Sequence, residues 1–314
     1  MKKTFSILML CLIAGAGMTS CSNEVEGSTA VIKNANWEFD SLVQSVQTYN
    51  LNTLPCASTF QNDSTLSLNE AINSPKKIRK GWKIFLKVLG VFSADALGAL
   101  FSPAGAGCAS IGAAGLLAGM KLTGPDLSGQ PMKMKPLMST SLIKSNSTTC
   151  APLQLSAKID DQTIVINDGV LHNSTIADIY SVYGNDMFSV PLDTLLCKFN
   201  CEAEAYGMSN SESDTANQMV DVISQICETA SNLDDFFAQM TKAYPEMTGE
   251  LAVLKEVMRG YDILDIENDN SEYAQALADI VSKSNISAES KKKLLGAIAV
   301  ANASVRLWNI EAFE

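Results

Sequence analysis

From Val88 to Met120 the chain carries a single charged side chain, Asp95. A stretch this apolar has to be enclosed, and its small residues say how. Gly90, Ala94, Gly98 and Ser102 recur at every fourth position, and so do Gly107, Ile111, Gly115 and Gly119. Residues four apart share one face of a helix, so each set forms a strip on which another backbone can come close. Pro103 and Gly105 interrupt the run between the two strips and mark a turn. The segment therefore predicts two apolar helices folded into a glycine-rich hairpin. Ahead of it, Lys76, Lys80, Lys83 and Lys87 fall within an arc of about 60° on a helix. Ile78, Trp82, Phe85, Leu86 and Leu89 take the opposite side, which makes a cationic amphipathic helix leading into the hairpin.

The remainder also reads as helical. Trp37, Phe39, Leu42, Val43, Val46 and Tyr49 recur at three- and four-residue steps, predicting an amphipathic helix that Asn50, Asn52 and Pro55 stop. A loop follows to about residue 75. Residues 123–162 are rich in Pro, Ser, Thr and Lys and read as a linker. Ile164 and Ile166 alternate with their neighbours, allowing at most a short strand near 163–166. Helical periodicity then runs over 170–183, 191–206, 213–230, 232–243, 247–264, 271–284 and 288–308. Asp168, Ser213, Asn232, Thr248, Ser271 and Ser287 are the candidate N-caps. In the last helix Leu294, Leu295, Ile298, Ala301, Val305 and Trp308 share a side and should face a core. The fold class expected is mainly α, a helical bundle around or beside the hairpin. The folded part divides into 36–75 (helix and loop), 76–122 (cationic helix and hairpin), the 123–162 linker and a helical domain over 163–314.

Hydrophobic residues make up 46% of the chain and aromatics 7%, enough for a core and a balance that favours helices over a β-sandwich. Net charge is −11, which speaks against nucleic acid as a partner. Cys56, Cys108, Cys150, Cys197, Cys201 and Cys227 follow Cys11 and Cys21. The even number permits disulfides, but a chain this long does not need them as a framework. Cys197 and Cys201 stand four apart on a predicted helix, where a bridge is geometrically awkward. Zinc needs more ligands than these two, and the single histidine, His172, is distant in sequence. His172 reads as a satisfied polar residue early on a helix. Asp265, Glu267, Asp269 and Ser271 step like a calcium loop, but Asn270 and Ala276 occupy the positions that need Gly and Glu. No Gly-x-Ser-x-Gly elbow, phosphate-binding loop or His-Glu-x-x-His helix is present. No catalytic, cofactor-binding or metal-binding residue is expected.

The start of the chain sets an address. Met1-Lys2-Lys3 precedes an uncharged apolar run from Phe5 to Met18, shorter than the roughly 20 residues that span a bilayer. A basic start, a short apolar run and small residues before a break describe a secretory signal peptide over 1–20. The break, Met18-Thr19-Ser20-Cys21, resembles a lipobox, with Met in place of the usual Leu and Ser before the cysteine. Endings of this kind are similar to those of lipoproteins from a large group of Gram-negative anaerobes. The resemblance implies lipid attachment at Cys21, a polar tether over 21–35 and a place in the cell envelope. Acyl chains hold a protein stably once two or more are present. Ser22 follows the cysteine and Glu24 and Glu26 lie close behind, which inclines the expectation to the outer membrane and its surface. Cleavage would remove Lys2 and Lys3 and no acids, leaving 21 basic and 34 acidic residues.

Ala94-Asp95-Ala96 in the hairpin, Val170-Leu171-His172-Asn173 and Ser304 four residues before Trp308 together resemble a loose family of exported proteins from similar anaerobes. That family implies localisation and no activity. Asp63-Ser64-Thr65 resembles their O-glycosylation motif, making Ser64 a candidate; Asp40-Ser41-Leu42, Asp193-Thr194-Leu195 and Asp214-Thr215-Ala216 share the pattern.

Three functional classes are consistent with these features. The first is an anchored structural or interaction protein with the hairpin buried, whose partners are the membrane through its lipid and a protein or a second copy. In the second, cationic helix and hairpin resemble bacteriocin-like and pore-forming peptides; Lys76, Lys80, Lys83, Lys87, Trp82, Gly98, Gly115 and Gly119 would then contact a membrane or partner. Against permanent spanning, a mid-helix Asp costs on the order of 3 kcal/mol. The third is a hydrolase or ligand-binding lipoprotein with a site assembled from distant residues.

Overall fold

A one-residue break converts the apolar run into a hairpin. In the computed structural model, helix α2 (Trp82–Phe101) ends one residue before Ser102, and α3 (Pro103–Leu117) begins one residue after it. The Ser102 hydroxyl accepts the Gly105 N–H at 2.9 Å, capping α3, while Pro103 takes the first helical position, where its missing N–H is no loss. Gly105 therefore belongs to the first turn of α3 and not to the loop. The structure describes residues 25–54, 82–117, 143, 154–208, 213–264 and 271–308.

The chain divides into Met1–Trp37 and Glu38–Glu314. The described portion of the first unit is helical, from the start of α1 (Val25–Thr53) onward. Helix thus occupies most of the stretch that composition reads as a tether.

In the second unit the hairpin is the centre of the bundle. Val91 to Leu100 and Ala104 to Ala114 are buried throughout. Helix α2 packs on α3, α6 (Ser213–Thr229), α8 (Thr248–Ile263) and α10 (Ala288–Leu307). Helix α3 adds contacts with α4 (Asp168–Tyr183) and α5 (Leu192–Ala205). Two glycines permit this density. A Cβ on Gly98 would lie 2.6 Å from Ala106 Cα, so the hairpin helices meet backbone to backbone. One on Gly107 would lie 1.9 Å from the Phe199 ring of α5. Helix α10 is buried on almost every side from Leu294 to Leu307, which is why it is rich in Ala and lacks a one-sided polar pattern.

The outer helices close the bundle. Helix α7 (Leu233–Ala243) is capped by Asn232, whose side chain accepts Asp235 N–H, and Ser287 caps α10 in the same way at Ser290. Asp168, Ser213 and Thr248, expected as caps, are instead the first residues of α4, α6 and α8, and Ser271 likewise opens its helix. Helix α9 (Ser271–Lys283) and α8 clasp the end of α1: Asn50 Nδ2 donates to Glu256 O at 2.9 Å, and Tyr273 OH donates to Asn50 Oδ1 at 2.9 Å. Arg259 on α8 donates to Glu256 at 2.8 Å and to Asp234 on α7 at 2.6 Å.

One antiparallel hairpin interrupts the helices. Strand β2 (Gln162–Ile166) bears out the short strand expected there, and β1 (Leu155–Ile159) lies where the sequence predicts a linker. Leu155, Ala157 and Ile159 are buried, while Ser156 and Lys158 face outward. Asp160 and Asp161 form the turn at φ +50° and +63°, the backbone of a type I′ turn. The outer edge of β1 is closed by Gln275 of α9, whose amide accepts Ser156 N–H at 3.3 Å and donates to Ser156 O at 2.9 Å. Ile143, also within the predicted linker, bridges Trp308 at the end of α10.

Candidate functional site

The three short motifs singled out in the sequence converge on one buried polar cluster. Their meeting point is set by backbone approach. A Cβ on Gly169 would lie 2.6 Å from Ala299 O, so the start of α4 rests directly on α10. One turn further along both helices, Asn173 Nδ2 donates to Ala303 O at 2.9 Å. That bond orients the amide, leaving Asn173 Oδ1 to accept from His172 Nδ1 at 2.8 Å. The imidazole proton is thereby assigned to Nδ1, and Nε2 presents a lone pair.

His172 Nε2 lies 3.5 Å from Asp95 Oδ2 on α2. The same carboxylate oxygen accepts the Ser304 hydroxyl from α10. Trp308 Nε1 donates to Ser110 Oγ on α3 at 3.3 Å, completing a link from α10 to both arms of the hairpin. Asp95, His172, Ser110, Ser304 and Trp308 are all 0% exposed, and Asn173 is 1% exposed.

Burial decides the protonation states. It raises the Asp95 carboxyl from its ordinary 3.8 to about 7, against the opposing pull of the Ser304 hydroxyl and of the nearby Ser110 and Trp308 side chains. It lowers His172 from 6.5 to about 4, with Asn173 opposing. The 3.5 Å separation would admit an ion pair. Desolvation of both groups favours the neutral pair instead, with the proton on Asp95 and His172 uncharged between about pH 4 and 7. On these same three helices Asp95 Oδ1, His172 Nε2, Ser93 Oγ, Thr175 Oγ1 and Asn302 Oδ1 have no hydrogen-bond partner among the described residues. Such groups cost about 1–3 kcal/mol each, so the cluster specifies how α2, α4 and α10 meet more than it strengthens their contact.

Serine, histidine and aspartate are thus together, but not in the order acyl transfer needs. A nucleophilic serine donates to the histidine, which donates in turn to the aspartate. Here serine and histidine both address Asp95, His172 donates to Asn173, and every member is sealed from solvent.

The other candidate residues lie elsewhere. Gly98, a candidate membrane or partner contact, faces α3 of its own chain. Trp82, Lys83 and Lys87 fall in the first turns of α2, and Gly115 near the end of α3. Cys21, Ser64, Lys76, Lys80 and Gly119 lie outside the described residues, as do the acidic residues 265–270. Cys108 is buried, and burial pushes its thiol up to about 12; Cys197 and Cys201 are exposed and free, and Cys227 is half-buried. Among the described residues no three His, Cys, Asp or Glu side chains are grouped to hold a metal, and no helix is long and apolar enough to cross a membrane. Sequence reasoning missed Ser93, Ser110, Thr175 and Asn302. For Ser93, Ser110 and Asn302 the available signal was a polar side chain inside an Ala-rich helix.

Comparison with protein-family models, with curated proteins and with solved structures finds no match in any of the three.

Proposed function

We propose that this chain is a lipid-anchored protein of the bacterial cell envelope, acting as a structural or interaction protein whose apolar hairpin serves as the core of its own bundle. The observation that carries the role of the hairpin is Asp95. Its carboxyl group is engaged by Ser304, and its neighbours from Val91 to Ala114 are covered by five other helices. Withdrawing the hairpin into a bilayer would break that contact, strip the apolar faces of α4, α5, α6, α8 and α10, and carry a carboxyl group into hydrocarbon. A hydrolase reading gains nothing from the cluster, since Ser304 neither donates to His172 nor reaches solvent.

Support for the anchor comes from the leader and lipobox ending at Cys21, with helix following from Val25. Cells fed an alkyne-tagged fatty acid test it. The wild-type chain should take up the tag and sediment with membranes, while Cys21→Ala should do neither. Equal tagging of the two chains, or none in either, overturns the reading.

A further inference from the structure

Helix α5 buries Leu195, Leu196, Phe199 and Ala203 on one side. At about 100° per residue, Cys197 and Cys201 fall on the opposite side, within roughly 40° of each other. Both are exposed and free. Cysteine is ordinarily among the most buried residue types, and Cys108 behaves that way in this bundle. Two thiols paired on the solvent face of one helix have no packing role to explain them.

Their spacing narrows what they can join. A disulfide brings Cβ atoms to about 3.8 Å, whereas helix positions four apart hold theirs about 5–6 Å apart. Closing that bond would distort α5. An ion placed between the sulfurs needs no such closure. Zinc and iron–sulfur groups ask for four ligands, and no third His, Cys, Asp or Glu among the described residues joins this pair. Soft thiolates select soft cations, Cu(I) first among the biologically common ones. Cys197 first, and then Glu204 and Glu202, hold the Cys201 thiol above its ordinary range, so its proton leaves only as a cation takes its place.

We propose that Cys197 and Cys201 form a two-thiolate site on α5 for a soft monovalent d10 cation held in two-coordinate geometry. Binding is an exchange of protons for metal without electron transfer: one cation and two thiols give a bis-thiolate complex of charge −1 and two released protons. The site is independent of the lipid anchor and of the buried cluster.

Anaerobic titration of the reduced full chain with Cu(I), against a chromophoric Cu(I) chelator, tests this. The wild type should take one tightly held equivalent that Cys197→Ser and Cys201→Ser each weaken by roughly 100-fold or more. Cys227→Ser should leave that equivalent in place. Both α5 positions are exposed, so the serine variants should keep the wild-type far-ultraviolet circular dichroism. Two protons should appear per Cu(I) bound in weakly buffered solution, and X-ray absorption of the loaded protein should show two sulfur ligands. A double serine variant that binds as tightly as the wild type, a wild type that fails to compete with the chelator, or a third sulfur at the metal overturns the proposal.

Discussion

The Ser304 hydroxyl on α10 donates to Asp95 Oδ2 on α2, joining residues 209 apart in the chain with neither exposed to solvent. Around this contact the hairpin, α4 and α10 are held in register by groups that would be costly to bury in any other arrangement. Its consequences are measurable in pH, in volume and in the order in which the bundle opens.

The first concerns pH. Asp95 has its folded pKa raised from 3.8 to about 7, so the folded state holds a proton that the unfolded chain releases. Its contribution is complete below pH 3.8 and is lost as pH rises to 7. His172 has its folded pKa lowered from 6.5 to about 4, so its contribution is complete above 6.5 and is lost as pH falls to 4. In wild type the two slopes oppose each other between pH 4 and 6.5. Removing one group exposes the other. Relative to wild type, Asp95→Asn should become more stable as pH rises from 4 to 6.5, by an amount on the order of 3 kcal/mol. His172→Asn should lose relative stability over the same range. Urea midpoints at unit pH steps check both, and parallel curves for the two variants would count against the neutral pair.

A second prediction concerns the close approach at Gly98. Adding a methyl group places carbon 2.6 Å from Ala106 Cα and Gly105 O, both backbone atoms that cannot swing aside. Gly98→Ala should cost about 1–3 kcal/mol in denaturant unfolding, and Gly98→Leu more. An unchanged midpoint for Gly98→Leu would mean that the hairpin helices do not touch there.

The β-turn offers a change of opposite sign. Asp160 and Asp161 both sit at positive φ, where a side chain is strained and Gly is not. Asp161→Gly should raise stability by about 1 kcal/mol, read as a higher urea midpoint. Asp160→Asn should help by less. A loss of stability from Asp161→Gly would contradict the turn geometry.

The ion pairs of α7 and α8 should separate by burial. Arg259→Ala would leave the carboxylate of Glu256, itself 3% exposed, without its partner and should cost about 3–5 kcal/mol. Lys255 reaches Asp234 at 3.5 Å with both side chains about a third or more exposed. Its removal should cost less than about 1 kcal/mol. Equal costs for the two variants, measured by thermal or urea unfolding, would mean that burial does not govern this network.

Much of this architecture is legible in the amino-acid sequence. The seven helices after Asp168 show in three- and four-residue periodicity, and the hairpin shows in the uncharged run and its glycine strips. Strand β1 is hidden because its alternation lasts five residues and follows a Pro- and Ser-rich stretch. Its turn is hidden because two aspartates take the place of the usual Asn-Gly. Helix α1 starts earlier than its apolar periodicity, at Val25, because its first turns carry no apolar face to read. The cluster is half legible. Asp95, His172, Asn173, Ser304 and Trp308 stand out as motif residues, but nothing local tells that they meet, since the contact spans almost the whole folded chain. The thiol pair shows the reverse. Its i, i+4 spacing is plain in the sequence, and only the burial of the opposite face of α5 shows that it points to water.

The central claim is that residues 91–114 are the enclosed core of the bundle. Hydrogen exchange read by mass spectrometry tests it most directly, on the acyl-free chain in buffer and on the anchored protein in native membrane vesicles. The account predicts that peptides covering 91–114 are among the slowest to exchange in both states and differ little between them. Fast exchange of that segment in buffer, turning to protection only when a bilayer is present, would contradict it.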